Sequence, residues 1–169
     1  MTDRMKVRFA RESDADAIEA FARRRVAWLR ERDISVDWAG IIPVQAQKIV
    51  SDIPGKDWRV FVALAGDRPV GRVVAWVEPP TDPKNGDNSP RIGTLGMTGL
   101  CTDPDAPGAA RALADWSARH AGSLGLNDVR LPTTVERLAE YYPKLGFMLD
   151  NTLNLPKGKT LWEFTRPAA

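Results

Sequence analysis

Leu138-Ala139-Glu140-Tyr141-Tyr142-Pro143-Lys144-Leu145-Gly146-Phe147 is the most punctuated segment of the chain. The spacing predicts a helix over 136–145 that Gly146 closes, because glycine takes the left-handed turn at a helix end without steric cost. A strand then starts at Phe147 with no linker. A tyrosine hydroxyl at such a helix end can donate a proton or a hydrogen bond to a leaving group. Tyr141 and Tyr142 can equally be two core aromatics.

Upstream, Gly99-Leu100-Cys101-Thr102-Asp103-Pro104-Asp105-Ala106-Pro107-Gly108-Ala109-Ala110-Arg111-Ala112-Leu113 reads as strand, turn and helix. Small residues just inside a helix start let backbone N–H groups approach a ligand, and the positive helix end favours phosphate. Many such turns are only structural. The strand runs over 92–102, and its glycines 93, 96 and 99 mark a bulge or a close backbone approach. The helix over 107–123 turns Ala110, Leu113, Ala114, Ser117, Ala121 and Leu124 inward. A short strand follows over 128–132. After Phe147, strands over 147–155 and 160–164 form a hairpin around Pro156-Lys157-Gly158-Lys159.

The N-terminal half alternates polar and apolar residues over 6–10, the signature of a strand. Ser13 fits a helix N-cap, with Asp14 and Asp16 in the first turn, and Ile18, Phe21, Ala22, Val26 and Leu29 follow at helical spacing, predicting a helix over 13–31. Its other face carries Arg23, Arg24, Arg30 and Glu31 and reads as solvated. Residues 33–40 read as a loop, Pro43 opens a second helix to about Ile53, and Pro54-Gly55 stops it. Strands over 58–65 and 69–77 form a hairpin around Gly66-Asp67-Arg68, and 78–90 is a polar loop rich in proline. The order β-α-α-β-β-β-α-β-α-β-β packs most economically as one mixed sheet with helices on both faces, an α/β (mixed α+β) single domain over 1–169.

Composition excludes several functions. The 169 residues hold 24 Lys+Arg against 22 Asp+Glu, and a net charge of +2 is too small for the footprint of a nucleic-acid binder. Lone Cys101 cannot form an intrachain disulfide, and with His120 alone it cannot build a zinc site from N and S ligands, so no metal is expected. No apolar run approaches the roughly 20 residues that span a bilayer, so no membrane partner is expected. A cytoplasmic protein is the default.

In this order, the two quoted segments resemble the GNAT (GCN5-related N-acetyltransferase) superfamily over about residues 5–165. Tyr-Tyr-Pro-Lys-Leu-Gly-Phe is similar to that family's C-terminal Y-x-K-x-G-F signature, and the strand exit Leu100-x-Thr102-x-Pro104 is similar to its pyrophosphate-binding segment. The resemblance implies a sheet splayed between strands 92–102 and 128–132, with an acyl-CoA, most simply acetyl-CoA, in the gap. Backbone of Leu100 and Thr102 would pair with its pantetheine, and N–H groups of Gly108, Ala109, Ala110 and Arg111 would meet its pyrophosphate. Tyr142 falls where the family's general acid protonates the departing thiolate, while a small-molecule amine attacks the thioester directly, so Cys101 is the poorer candidate for a nucleophile.

The loop over 105–110 departs from the family pattern: it holds one glycine, Gly108, and carries Asp105 where phosphate is disfavoured. That keeps open an acyl carrier protein or an aminoacyl-tRNA as donor, and a non-enzymatic partner protein on the same scaffold. Glu78, Asp103 and His120 are the candidates for a general base, although His120 lies four residues after Trp116 and can simply pack against it. The resemblance places the acceptor near Asp33, Asp37 and Trp38, with Glu78 as a further contact and Asn154, Lys157 and Lys159 in the last hairpin. Asp33 and Asp37 beside an indole could hold a cationic amine, or be ordinary loop carboxylates. Trp28, Trp38 and Trp162 would supply a homodimer interface if exposed.

Overall fold

A computed structural model describes residues 5–34, 58–79 and 93–169. The helix expected over 43–53, Asp37, Trp38 and most of the 78–90 loop lie outside the described residues.

Seven strands form one sheet in the order β1-β2-β3-β4-β5-β7-β6: β1 (Lys6–Phe9), β2 (Arg59–Ala65), β3 (Arg68–Glu78), β4 (Thr94–Thr102), β5 (Asp128–Thr133), β6 (Met148–Leu155) and β7 (Lys159–Pro167). The described helices are α1 (Ala15–Arg30), α2 (Ala109–Ser123) and α3 (Glu136–Tyr141). The pairing of β4 with β5 is parallel and covers Thr94–Gly96 against 128–130, so it ends well before either strand does. Pairings of β1 with β2, β2 with β3, β5 with β7 and β6 with β7 are antiparallel. The chain forms two compact units, one of Met1–Ala75 and Gly99–Leu113, the other of Trp76–Thr98 and Ala114–Ala169. Among the described residues no helix is long and apolar enough to cross a membrane.

In the first unit, α1 buries Ile18, Phe21 and Ala22 against Val62, Leu64 and Cys101. Thr102, the next residue along β4, turns to the opposite face of the sheet. There Gly71 is the reason α2 can start close to the sheet: a Cβ at this glycine would lie 3.1 Å from Thr102 Cγ2, 3.2 Å from Leu113 Cδ1 and 3.5 Å from the Ala109 Cβ. Helices therefore cover both faces, as the element order predicts.

Two local expectations are corrected and a third is sharpened. Ser13 does not begin α1; a short 3-10 turn over Glu12–Asp14 precedes it. Asp14 does the local anchoring, since its carboxylate accepts from the Arg11 N–H at 2.7 Å and pairs with Arg8 of β1 at 2.6 Å. Leu124 is 48 % exposed, because α2 ends at Ser123 and the residue sits in the following turn. The solvated face of α1 is exposed at Arg23, which pairs with Glu19 on the same helix, and at Arg24, which in addition reaches Asp103.

The Arg8 guanidinium, bonded to the Asp14 carboxylate, holds that carboxyl below its usual 3.8. A group whose folded value is depressed stabilises the fold above its unfolded value and loses that contribution as pH falls through the folded one. Thermal melts between pH 5 and pH 2 should therefore show stability falling below about pH 4. In Asp14→Asn this acid limb should flatten, with a loss at pH 7 of about 2 kcal/mol from the missing charge-assisted bonds.

In the second unit, β7 packs between β5 and β6, and Leu131, Phe164, Tyr142, Leu145 and Phe147 are buried. The C-terminus is tied back to α2, as the Ala169 N–H donates to the Ala118 carbonyl at 3.0 Å. At Gly96 a Cβ is excluded: it would fall 2.6 Å from Cζ2 and 2.7 Å from Nε1 of the Trp76 indole, which lies over β4.

Candidate active site

The residues expected to hold the donor all lie in the first unit. Leu100 and Thr102 are half-buried at the end of β4, Ala109 and Ala110 are buried at the start of α2, and Gly108 and Arg111 are exposed. Thr102 and Ala109 come together beside Gly71. Gly108 has φ +94°, and a Cβ there would meet nothing within 4 Å, so the approach to this backbone is open. The Ala109 N–H already donates to the Ala106 carbonyl at 3.2 Å, so of the four amides expected to meet a pyrophosphate this one is engaged; the positive end of a helix still suits the start of α2 to an anion.

Side chains grip this segment from outside. Arg25 of α1 donates from Nε to the Thr102 carbonyl and from Nη2 to Thr102 Oγ1, both at 2.9 Å. Asp103 accepts from Arg24 Nη2 at 2.6 Å and Arg68 Nη1 at 3.0 Å, and its other oxygen accepts from the Asp105 N–H at 3.1 Å. The Arg24 guanidinium holds the Asp103 carboxyl below the ordinary carboxylate range against the opposing effect of burial. Asp103 is thus occupied as a structural anion and is a poor general base. The Asp103 partners escape a sequence reading: Arg24 looks like part of a solvated helix face, and Arg68 stands in a hairpin 35 residues from Asp103.

Tyr142 lies in the second unit and is 3 % exposed. α3 ends at Tyr141, and Tyr142–Leu145 tighten into a 3-10 turn, the common way a helix takes up its last carbonyls. Gly146 follows at φ +87°; its N–H donates to the Pro143 carbonyl at 3.0 Å and the Phe147 N–H to the Tyr142 carbonyl at 3.3 Å. That double closure turns the Tyr142 ring against Phe164 edge-on, with centroids 5.5 Å apart, and against Phe147 at 6.2 Å. Burial pushes the phenol well above its ordinary value, and a hydrogen bond with the Thr133 side chain pulls the other way. Thr133 in turn accepts from the Val135 N–H at 3.1 Å. Tyr142 is therefore a protonated phenol with a polar partner at the end of β5, not only a core aromatic. Tyr141, by contrast, is exposed.

The remaining candidates separate. Glu78 is half-buried at the end of β3 and pairs with Arg130 of β5 at 3.2 Å. His120 stacks on Trp116 with centroids 4.8 Å apart, and burial lowers its pKa from 6.5, so it is held as a neutral ring. Asp33 is exposed in the turn after α1 at φ +53°, and Asn154, Lys157 and Lys159 are exposed around the β6–β7 turn. Trp28 lies under the guanidinium groups of Arg25 at 4.9 Å and Arg32 at 3.9 Å, and Trp162 is half-buried. Cys101 is buried, its thiol pushed up by burial although Arg72 beside it pulls the other way, which suits a core residue and not a nucleophile.

No protein-family model matches the sequence, and no curated protein does. Solved structures do. A structure from Desulfovibrio desulfuricans assigned to the GNAT family superposes with a TM-score of 0.71 at 14 % identity, covering 98 % of this chain and 99 % of that one. The PaiA N-acetyltransferase of Thermoplasma acidophilum in complex with coenzyme A gives 0.63 at 14 % identity over 94 % of this chain and 97 % of that one. A chimera of spermidine N-acetyltransferase SpeG, from Vibrio cholerae and hSSAT, gives 0.61 at 15 % identity over 98 % and 96 %. Superposition over nearly the whole of both chains at this low identity reaches the fold level: the chain has the GNAT fold, the fold of the N-acetyltransferases it superposes on.

Proposed function

We propose that this protein is an N-acyltransferase that moves an acetyl group from acetyl-CoA to the amine of a small molecule. The observation that carries the reading is a buried, protonated tyrosine at the position of the GNAT signature, on a chain that has the GNAT fold along nearly its full length. The names of the similar structures support it, since they include a coenzyme A complex and a spermidine N-acetyltransferase.

In this mechanism a neutral amine attacks the thioester carbonyl carbon, the C–S bond breaks, and the sulfur leaves with the bonding pair. The Tyr142 phenol gives its proton to that sulfur, and the resulting phenolate is reprotonated from water while the new amide sheds its ammonium proton to solvent. Thr133, hydrogen-bonded to the phenol oxygen, stabilises the transient phenolate. Backbone of Leu100 and Thr102 holds the pantetheine, and the amides of residues 108–111 hold the pyrophosphate. Asp103 and His120 are tied up elsewhere, so an amine arriving neutral is the simplest route without a dedicated base. For the acceptor, Asp33, Asp37, Trp38 and Glu78 are the proposed contacts for a cationic amine.

The donor loop with its one glycine favours a second reading, in which the acyl group arrives on a carrier protein or an aminoacyl-tRNA. Calorimetry and native mass spectrometry separate the two. Acetyl-CoA should bind with a Kd of about micromolar, near −8 kcal/mol. A panel of polyamines and aminoglycosides should yield free thiol with at least one amine. Absence of coenzyme A binding would remove the first reading in favour of the second. Failure of every donor and amine would leave a partner protein on this scaffold.

A further inference from the structure

We infer that Asp103 is a positioning residue for the donor loop: its buried carboxylate clasps Arg24 and Arg68 and thereby holds residues 103–111 in the conformation that meets the donor phosphates. The inference rests on the acyl-CoA reading above.

Two separate pieces of chain converge on Thr102, the last residue of β4, and on Asp103 after it: α1 supplies Arg24 and Arg25, and the start of β3 supplies Arg68. The Asp103 side chain is 0 % exposed, while those of Arg24 and Arg68 remain 43 % and 56 % exposed. Backbone bonds lock the same spot: the Asp103 N–H donates to the Val70 carbonyl at 2.7 Å, and the Ala106 N–H to the Asp103 carbonyl at 3.1 Å. The Asp103 side chain also caps the turn through the Asp105 N–H. Every bond on this residue therefore points into the loop or anchors it to β3 and α1.

Alone, a buried carboxylate just before a phosphate-binding helix start would be doubly unfavourable. It would lose its hydration and would repel the pyrophosphate by about 1 kcal/mol per close contact even through water. Arg24, Arg68 and Asp103 sum to +1, and Arg25 on Thr102 offsets the neighbouring Asp105, so the cluster as a whole favours an anion. Each guanidinium has five N–H donors, more than Asp103 takes up, and both side chains reach solvent. The clasp also answers the unusual loop composition. Pro104 and Pro107 fix φ at two positions, one glycine supplies the single left-handed residue, and the ion cluster holds the remainder.

The test compares the wild type with Asp103→Asn, Arg68→Ala and Arg68→Lys. Asparagine keeps an oxygen for the Asp105 N–H but replaces the oxygen that accepts from Arg24 and Arg68 with an amide NH2, so it removes both the charge and the two guanidinium bonds of the clasp while sparing the turn. In Asp103→Asn the Kd for coenzyme A and the KM for acetyl-CoA should rise about 10-fold. Over the same substitution kcat at saturating donor should stay within about 2-fold, since no transition-state contact is lost. Arg68→Ala, which removes a half-exposed partner and leaves the fold intact, should raise both by about 3-fold, and Arg68→Lys should restore most of that. Hydrogen exchange on ligand-free protein gives a second readout: peptide 103–112 should exchange about 10-fold faster in Asp103→Asn while peptide 159–167 is unchanged. An unchanged KM with unchanged exchange, or a loss confined to kcat, would overturn the inference. If the wild type itself binds no coenzyme A, the acyl-CoA reading fails, and the exchange measurement still decides the clasp. Where Asp103→Asn does not fold, Arg68→Ala and its lysine rescue decide it.

Discussion

Tyr142→Phe is expected to lower kcat by about 100-fold or more, the usual worth of a positioned proton donor, with the KM for acetyl-CoA changed little. The substitution deletes one oxygen and nothing else. The ring keeps its edge-on packing against Phe164 and its contact with Phe147. The lost hydrogen bond leaves the Thr133 hydroxyl without its phenol partner, which costs about 1 kcal/mol. For a chain of this size that is a fall in Tm of about 2–4 °C, so the protein should still purify folded. The pH profile adds a sign. Because burial raises the phenol above its ordinary 10.0, the acid form persists throughout the neutral and mildly alkaline range. Any alkaline fall in kcat below about pH 9 must then belong to another group. Wild-type turnover in Tyr142→Phe would take this tyrosine out of the mechanism.

Gly96→Ala should be among the most destabilising single substitutions in the second unit. Its Cβ would be driven into the Trp76 indole, at 2.6 Å from Cζ2 and 2.7 Å from Nε1. An indole is rigid and lies flat on the strand, so relief requires either the strand or the whole side chain to move. Overpacking of this kind costs about 3 kcal/mol, or about 6–12 °C in Tm. The mechanism predicts its own reversal. In a Trp76→Ala background the same substitution meets no ring, and alanine is better than glycine in a strand by about 0.5–1 kcal/mol. A double-mutant cycle by thermal melting should therefore show Gly96→Ala changing from strongly destabilising to neutral or slightly stabilising. A melting point for Gly96→Ala within a degree or two of the wild type would mean that Trp76 is not held over β4 as described.

Glycine 96 also shows how far a sequence reading reaches. Glycines 93, 96 and 99 in one strand announce a close approach, but not by what. The tertiary structure supplies the answer for each: the Glu78 carbonyl over Gly93, the Trp76 indole over Gly96, and a positive φ of +63° at Gly99. The same division runs through the candidate site. Tyr142 and its turn were legible because Pro143, Lys144, Leu145 and Gly146 act on their immediate neighbours. Helix closure depends on bonds between residues four and five apart, such as Phe147 to Tyr142. That Tyr142 and not Tyr141 is the buried one, and that Thr133 is its partner, depends on β5 and β7, which no local pattern specifies.

By itself, then, the amino-acid order determined the succession of strands and helices and the turns that glycine and proline enforce, and its one Cys and one His allow neither an intrachain disulfide nor a zinc site of N and S ligands. These follow from backbone sterics, hydrophobic period and residue counts, all of which are local or additive. Only the tertiary structure decided that Arg24, on its helix's solvated face, reaches Asp103, 79 residues away, and that Arg68 joins it across 35. Charge pairs carry no period and leave no trace in spacing. They form where the fold has already brought their elements together, and the carboxylate buried between those arginines keeps its charge because the fold does so.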